Sequence, residues 1–290
     1  MSGPSLRELL AAPEILLAPG VFDALTASIA EKAGFKAVYL SGAAVAYTRL
    51  GMPDIGLSTM TEMADTLALI RDRISLPIVI DADTGFGNAL NAQRTMRIYE
   101  RAGASALQVE DQTYPKRCGH LSDKSLIPTS EMCGKIRAMA DARASEETLI
   151  IGRTDAIAVE GFDAALERGA AYIEAGADAL FIEAPRSLDQ LRKVGEILGS
   201  RVPLMANMVE GGATPMVPPE QLQALGYSLV IFPGGIVRAL ARTAEEYYAS
   251  LLGTGSNVAF RERMFDFDGL NQRIGTPTMI ENGRRYEDKA

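Results

Sequence analysis

Histidine occurs once in this chain, cysteine twice and tryptophan not at all. The two cysteines, Cys118 and Cys133, form no CxxC pair and no disulfide framework. With His120 as the single imidazole, a Cys/His zinc site is nearly excluded. Such sparing cysteine use belongs to a reducing compartment, so a cytoplasmic setting is expected. Positive charge is also short: 29 Lys and Arg against 37 Asp and Glu give a net charge of −8, with no basic block. Nucleic acid and acidic membranes are therefore poor partners, whereas a small anionic substrate needs only a local cluster of cations. No apolar run approaches the roughly 20 residues that span a bilayer. The opening MSGPSLRELLAAPE lacks the basic start and apolar stretch of an export signal.

An apolar share of 47% and a charged share of 23% are present, as in a globular protein able to bury a large core. Short apolar, β-branched runs at 15–20, 37–42, 77–85, 106–111, 148–156, 177–184, 203–208 and 228–234 alternate with helical patterns. Continuous apolar strands between amphipathic helices predict a parallel sheet covered by helices. One phrase recurs, as EKAGFKAVYL, ERAGASALQV, IEAGADALFI and QALGYSLVIF. In each a helix ends at a glycine (Gly34, Gly103, Gly176, Gly226) and a strand follows, which suits the left-handed position after a last helical turn. Eight such units predict an α/β chain folded as a (β/α)8 TIM-type barrel. The alternative, an open doubly wound sheet, lacks its phosphate loop: neither GxGxxG nor GxxxxGK[ST] occurs. No linker divides the chain, so residues 1–290 read as one barrel domain, with a helical, partly apolar extension over about 236–290.

Chemistry in such a barrel belongs at the C-terminal ends of the strands. There the sequence sets Asp81 and Asp83 two apart, expected to point to the same side, then Glu110, Arg153 with Asp155, Glu183, Asn207 and Glu210. An acid at a strand end is often a cap or turn former, and Asp155 and Asp111 fit that reading. Converging Asp81, Asp83 and Glu110 would repel unless a cation or proton joined them, and hard oxygen ligands suit Mg²⁺ or Mn²⁺. Cys133, inside a helical pattern, reads as a small buried hydrophobe. Cys118 lies instead in the polar loop TYPKRCGH with Lys116, Arg117 and His120, a setting that lowers a thiol's pKa.

The motifs YLSGA, LGMPDIG, DADTGFGN and KRCGH, in that order along the chain, resemble the isocitrate lyase/phosphoenolpyruvate mutase superfamily. The run from Arg153 to Asp178 is similar to that of its short 2-methylisocitrate lyases, while ANMVEGG and APEIL are similar to its phosphorylmutases. The resemblance implies Mg²⁺ held by Asp81 and Asp83, with Asp54 and Glu110 on the metal or its waters. It implies that Ser41, Gly42 and Ala43 hold an α-oxy carboxylate and that Arg153 pairs with a substrate carboxylate. Glu183, Asn207 and Pro233 would be neighbours in that pocket, and Tyr39 the base at the substrate hydroxyl or its helper. KRCGH would be a mobile gate in which Cys118 is a general acid, with Lys116, Arg117 and His120 stabilising charge around it. The implied activity is Mg²⁺-dependent carbon–carbon cleavage of a 2-hydroxy di- or tricarboxylate, of the 2-methylisocitrate or 2,3-dimethylmalate type, into an α-keto acid and a second carboxylate. Phosphonomutase chemistry and oxaloacetate hydrolysis or decarboxylation stay open; the hydrolase branch carries a serine where this chain has Pro233. A catalytically silent barrel would be expected to have lost a metal acid or the loop cysteine, and both are present. The resemblance also implies a homotetramer in which the last barrel helix is exchanged between subunits.

Overall fold

The structure, a computed structural model, describes residues 3–119 and 123–287. It divides into two compact units, Met1–Ile236 and Val237–Ala290. In the first, β1 (Leu16–Val21), β2 (Val38–Leu40), β3 (Ile78–Asp81), β4 (Ala106–Glu110), β5 (Leu149–Thr154), β6 (Ala179–Ile182), β7 (Leu204–Asn207) and β8 (Leu229–Phe232) run in sequence order. Each pairs in parallel with the next, and β8 returns to β1, closing the barrel. Every expected strand is present. The glycine after each repeated helix has a positive φ, from 90° at Gly226 to 104° at Gly176, the conformation in which a side chain would be strained.

Side chains alternate along a strand, and the alternation sorts them here into two populations. Leu16 and Ala18, Tyr39, Val79, Ala106, Leu149 and Ile151, Ala179 and Phe181, Met205, and Leu229 and Ile231 form one buried cluster inside the barrel. Joined to that cluster are Leu6, Leu9 and Leu10 of α1 (Leu6–Ala11), whose start is fixed by a reciprocal capping box between Ser5 and Glu8. The segment weighed above only as a candidate export signal is thus part of the barrel core. Intervening residues such as Val38, Ile78, Ile80, Leu107 and Ile150 are wholly buried too, as both faces of a helix-covered parallel sheet require.

Following the inward positions two residues at a time towards the strand ends gives Ser41, Asp81, Gln108, Glu110, Arg153, Glu183, Asn207 and Pro233. The apolar plug therefore gives way, in one layer, to polar groups. Among the surrounding helices, those that position this layer are α2 (Ala24–Lys32), the single-turn α3 (Gly42–Val45), α4 (Met60–Arg73), α5 (Ala89–Arg101) and α6 (Thr129–Ala142).

The second unit carries most of a long helix, Gly235–Thr254, then a 3-10 turn (Val258–Arg263) and the short helices Phe267–Ile274 and Thr276–Arg284. Tyr247 packs edge-on against Phe260 at 5.5 Å, and Glu246 takes Arg242 and Arg263. Large apolar side chains remain exposed, Leu252 to 90% and Phe267 to 83%. Among the described residues no helix is long and apolar enough to cross a membrane.

Candidate active site

Two charged groups of opposite design share the top of the barrel. The first is built on Arg153, at the end of β5 and 7% exposed. Its guanidinium meets Asp155 at 2.8 Å, Glu110 at 3.1 Å and Glu183 at 3.5 Å. Glu110 is its direct cross-strand partner, so the register itself makes that pair. Burial draws the guanidinium's pKa down, but Asp155, Glu110 and Glu183 hold it well above its ordinary value. Its charge is fixed and its fork is aimed by a bidentate grip from Asp155. Asp155 is no mere turn former: burial pushes its carboxyl up, yet Arg153 and Lys124 together hold it below the usual range. Lys124, buried, donates to Asp155 at 2.7 Å and also to the Gly119 carbonyl.

The second group is the acid cluster. Asp54, Asp81, Asp83 and Glu110 are each under 9% exposed. Lys116 lies among them, 2.5 Å from Asp54 and 2.8 Å from Asp83, and although burial lowers its pKa these acids keep it raised. Burial pushes the Asp83 carboxyl up to about 7 against the pull of Lys116, and burial likewise raises Glu110. Asp81 and Asp83 meet in one cluster, though not by strand alternation alone. β3 ends at Asp81, and Asp83 turns left-handed at φ 45°, so strand alternation no longer governs it. Its amide instead folds back onto Asp81 Oδ1 at 3.1 Å.

Hard carboxylate oxygens suit Mg²⁺ or Mn²⁺, and Glu110 Oε1 is buried without a hydrogen-bond partner among the described residues, as an atom awaiting a ligand would be. Among the described residues, however, no three acid, Cys or His groups stand together as a ready-made metal cage. The donor set fits a cation that keeps several of its own waters, the ordinary habit of Mg²⁺.

Tyr39, wholly buried, donates to Gln108 Oε1 at 2.8 Å, and Gln108 in turn reaches Asp81 at 3.4 Å. Burial above all, then Asp81, holds the phenol far above its usual pKa. As placed, it is a hydrogen-bond donor and not a ready phenolate. Gln108 was not among the expected site residues; its side chain occupies an inward position between Ala106 and Glu110, inside a run that reads as plain strand. Ser41 caps α3, accepting from the Ala44 amide at 3.2 Å, which leaves its own proton to donate. Gly42 lies close against Asp81: a Cβ there would stand 3.0 Å from Oδ2 and push on that carboxylate. Ala43 follows on the same turn. Asn207 donates to Glu183 at 3.4 Å, its Oδ1 buried without a hydrogen-bond partner among the described residues. Pro233 packs its carbonyl onto Gly20 of β1, where a Cβ would fall 2.2 Å away.

The loop from Thr113 joins these groups. The Cys118 amide donates to the Asp54 carbonyl at 3.2 Å, and the thiol is half-buried. At the next residue, a Cβ on Gly119 would stand 2.6 Å from both Arg153 Nη2 and Glu183 Oε2. A side chain there would have to displace both groups. Lys116 is directed at Asp54 and Asp83, and Arg117, half-exposed, has Asp123 at 3.4 Å. Gln112 clamps Arg117 through its backbone at both ends. His120 lies outside the described residues. Cys133 is buried, bonding the Ala171 carbonyl at 3.5 Å.

The model of the phosphoenolpyruvate phosphomutase family matches residues 6–252. A 2,3-dimethylmalate lyase of Eubacterium barkeri is 40% identical over 281 residues, covering 97% of this chain and 96% of that protein. A 2-methylisocitrate lyase of Aeropyrum pernix is 44% identical over 273 residues, covering 94% and 87%. Among solved structures, a phosphonopyruvate hydrolase in complex with oxalate and Mg²⁺ superposes with a TM-score of 0.87 at 30% identity, covering 97% of each chain.

Proposed function

Since the chain belongs to the phosphoenolpyruvate phosphomutase family, we propose that it is a Mg²⁺-dependent carbon–carbon lyase acting on a 2-hydroxy di- or tricarboxylate of the 2-methylisocitrate or 2,3-dimethylmalate type. One observation carries the reading. The Cys118–Gly119 segment is held between the acid cluster and Arg153: the Cys118 amide is bonded to Asp54, and Gly119 lies against Arg153 and Glu183. In this reading the segment carries the Cys118 thiol over a substrate spanning the two groups.

In this reading Arg153 pairs with a substrate carboxylate, and Asp155 and Glu110 keep its fork in place. The Ser41 hydroxyl and the Gly42–Ala43 backbone take the α-oxy carboxylate, and Tyr39 orients the hydroxyl through its bond to Gln108. Asp81 and Asp83, with Asp54 and Glu110, would hold Mg²⁺ or Mn²⁺, which when bound supplies Lewis-acid stabilisation of the developing keto acid. The hydroxyl proton passes, with Tyr39 as helper, to a carboxylate of the acid cluster, the adjacent C–C bond breaks, and the electron pair of that bond passes to the departing carbon. Cys118 gives that carbon its proton, completing the second carboxylate. The Gly119 backbone and the buried Lys124 exclude water from this step. Relatives named as lyases for both substrates, at 40% and 44% identity, support the choice of reaction. The test is direct: with Mg²⁺, 2-methylisocitrate or 2,3-dimethylmalate is expected to release an α-keto acid, and EDTA to stop it. Release undiminished by EDTA, or turnover of phosphonopyruvate alone, defeats the proposal.

The reading brings with it a reducing, cytoplasmic setting, which two free thiols suit, and a homotetramer with an exchanged helix. Apolar surface as exposed as Leu252 and Phe267 calls for a partner. Light scattering at micromolar concentration is expected to give about four times the 31.0 kDa chain mass; a monomeric mass contradicts it.

A further inference from the structure

Lys135 lies on α6, 3% exposed, with its ammonium 3.0 Å from the carbonyl of Thr84. No step of the proposed reaction uses it, and it contacts none of the acids directly in the hydrogen bonds above. Yet a buried ammonium is an expensive way to satisfy one backbone carbonyl, since the charge must be taken out of water. An apolar side chain of similar length would fill the same space.

The loop it grips explains the expense. Between β3 and α5, Asp83 and Phe86 are both left-handed without being glycine, at φ 45° and 59°. Such residues are strained and persist only where the surroundings over-determine them. Several ties do so here, among them the Gly85 amide on the Ala82 carbonyl at 2.9 Å and Lys116 on Asp83 at 2.8 Å. The Asp83 amide bonds Asp81 Oδ1, the Glu110 amide bonds the Asp83 carbonyl at 2.9 Å, and Thr95 Oγ1 bonds the Gly85 carbonyl at 3.2 Å. Lys135 is a further tie and, like Lys116 on Asp83, it carries charge. It grips the residue immediately after Asp83, from a helix outside the barrel. Burial lowers its pKa, and Glu131, Asp111 and Glu110 oppose that fall, so the acids help to keep the donor cationic.

We infer that Lys135 is a positioning residue for the metal: by holding Thr84 it keeps Asp83 in the left-handed turn that presents its carboxylate to the cation. This rests on the metal-binding reading above. Groups behind metal ligands typically change affinity by about 10–100-fold when removed. Lys135→Met, which keeps the stem and loses the ammonium, is expected to weaken Mn²⁺ binding by about that factor, read by calorimetry or spin resonance without substrate. Turnover at saturating Mg²⁺ is expected to stay within about threefold, so the loss appears in the metal-activation constant. Lys135→Arg, which can reach the same carbonyl with its charge intact, is expected to restore most of the affinity. Should Lys135→Met fail to fold, Thr95→Val removes the neighbouring tie without a charge and is expected to weaken Mn²⁺ in the same direction by a smaller factor. Wild-type Mn²⁺ affinity in a folded Lys135→Met, or in Thr95→Val where that variant stands in, overturns the inference. Absence of Mn²⁺ binding by the wild type overturns the metal reading itself, and this inference with it.

Discussion

Asp83→Asn is expected to lower turnover by about a thousandfold or more and to weaken metal binding, while leaving the protein folded. Asparagine is the informative replacement because Asp83 sits at φ 45°. Asn tolerates that region, whereas alanine would add backbone strain to the loss of charge. The chemical cost follows from what the carboxylate supplies. A metal stabilising charge in a dry site is worth several kcal/mol, and about 4 kcal/mol is a factor of roughly 10³ in rate. Stability should move the other way. Asp83 is buried against Asp81 and Asp54, both of which oppose its ionisation, so a neutral side chain relieves repulsion in the metal-free protein. Lys116 keeps Asp54 as a partner at 2.5 Å. Keto-acid release, Mn²⁺ titration and metal-free melting curves make the comparison. Activity within tenfold of the wild type would remove Asp83 from the metal site.

The second large effect is expected from Cys118→Ser. Loss of a general acid ordinarily costs a factor of about 10²–10⁴, because a serine hydroxyl is far too weak an acid to replace a thiol. The anchoring is independent of sulfur, since it is the Cys118 backbone amide that bonds the Asp54 carbonyl. Serine should therefore keep the loop, the metal affinity and the melting temperature. A purely structural cysteine would give the opposite pattern, with near-normal turnover and any cost in stability. Steady-state kinetics with melting as control separates the two. Turnover within a few-fold of wild type would leave carbon–carbon cleavage without its proton donor.

Much of this architecture was legible because two periodicities coincide. Apolar runs ending in an acid, an arginine or an amide mark strands, and the glycine closing each helix marks the return to the barrel; both fall where the sequence placed them. The polar layer was legible for the same reason, as Arg153, Glu110 and Glu183 continue an inward alternation. What escaped depends on backbone geometry that residue identity does not encode. Asp83 leaves the strand period because the chain turns left-handed there, and nothing in DADTG requires it. Gln108 hides within ALQVED, where a single amide in an apolar run reads as strand, though its partners Tyr39 and Asp81 lie on neighbouring strands. Lys124 and Lys135 sit in ordinary polar surroundings in sequence, and only tertiary packing buries their ammonium groups against Asp155 and Thr84. Lys116 and Arg117 are adjacent in sequence, and successive side chains in a loop need not face the same way. Lys116 goes to buried acids, while Arg117 takes the solvent side.

Gly119 also bears on how this enzyme could change over generations. Its α-carbon rests so closely on Arg153 and Glu183 that a Cβ would overlap both. Every single-base change in a glycine codon that alters the amino acid adds a Cβ. Any one-step mutation at this codon therefore requires the ends of the Arg153 and Glu183 side chains to shift. New substrate preferences would be reached with less disturbance from other positions at the strand ends, such as Asn207 or Pro233. There a change in side chain need not unseat the backbone that covers the arginine.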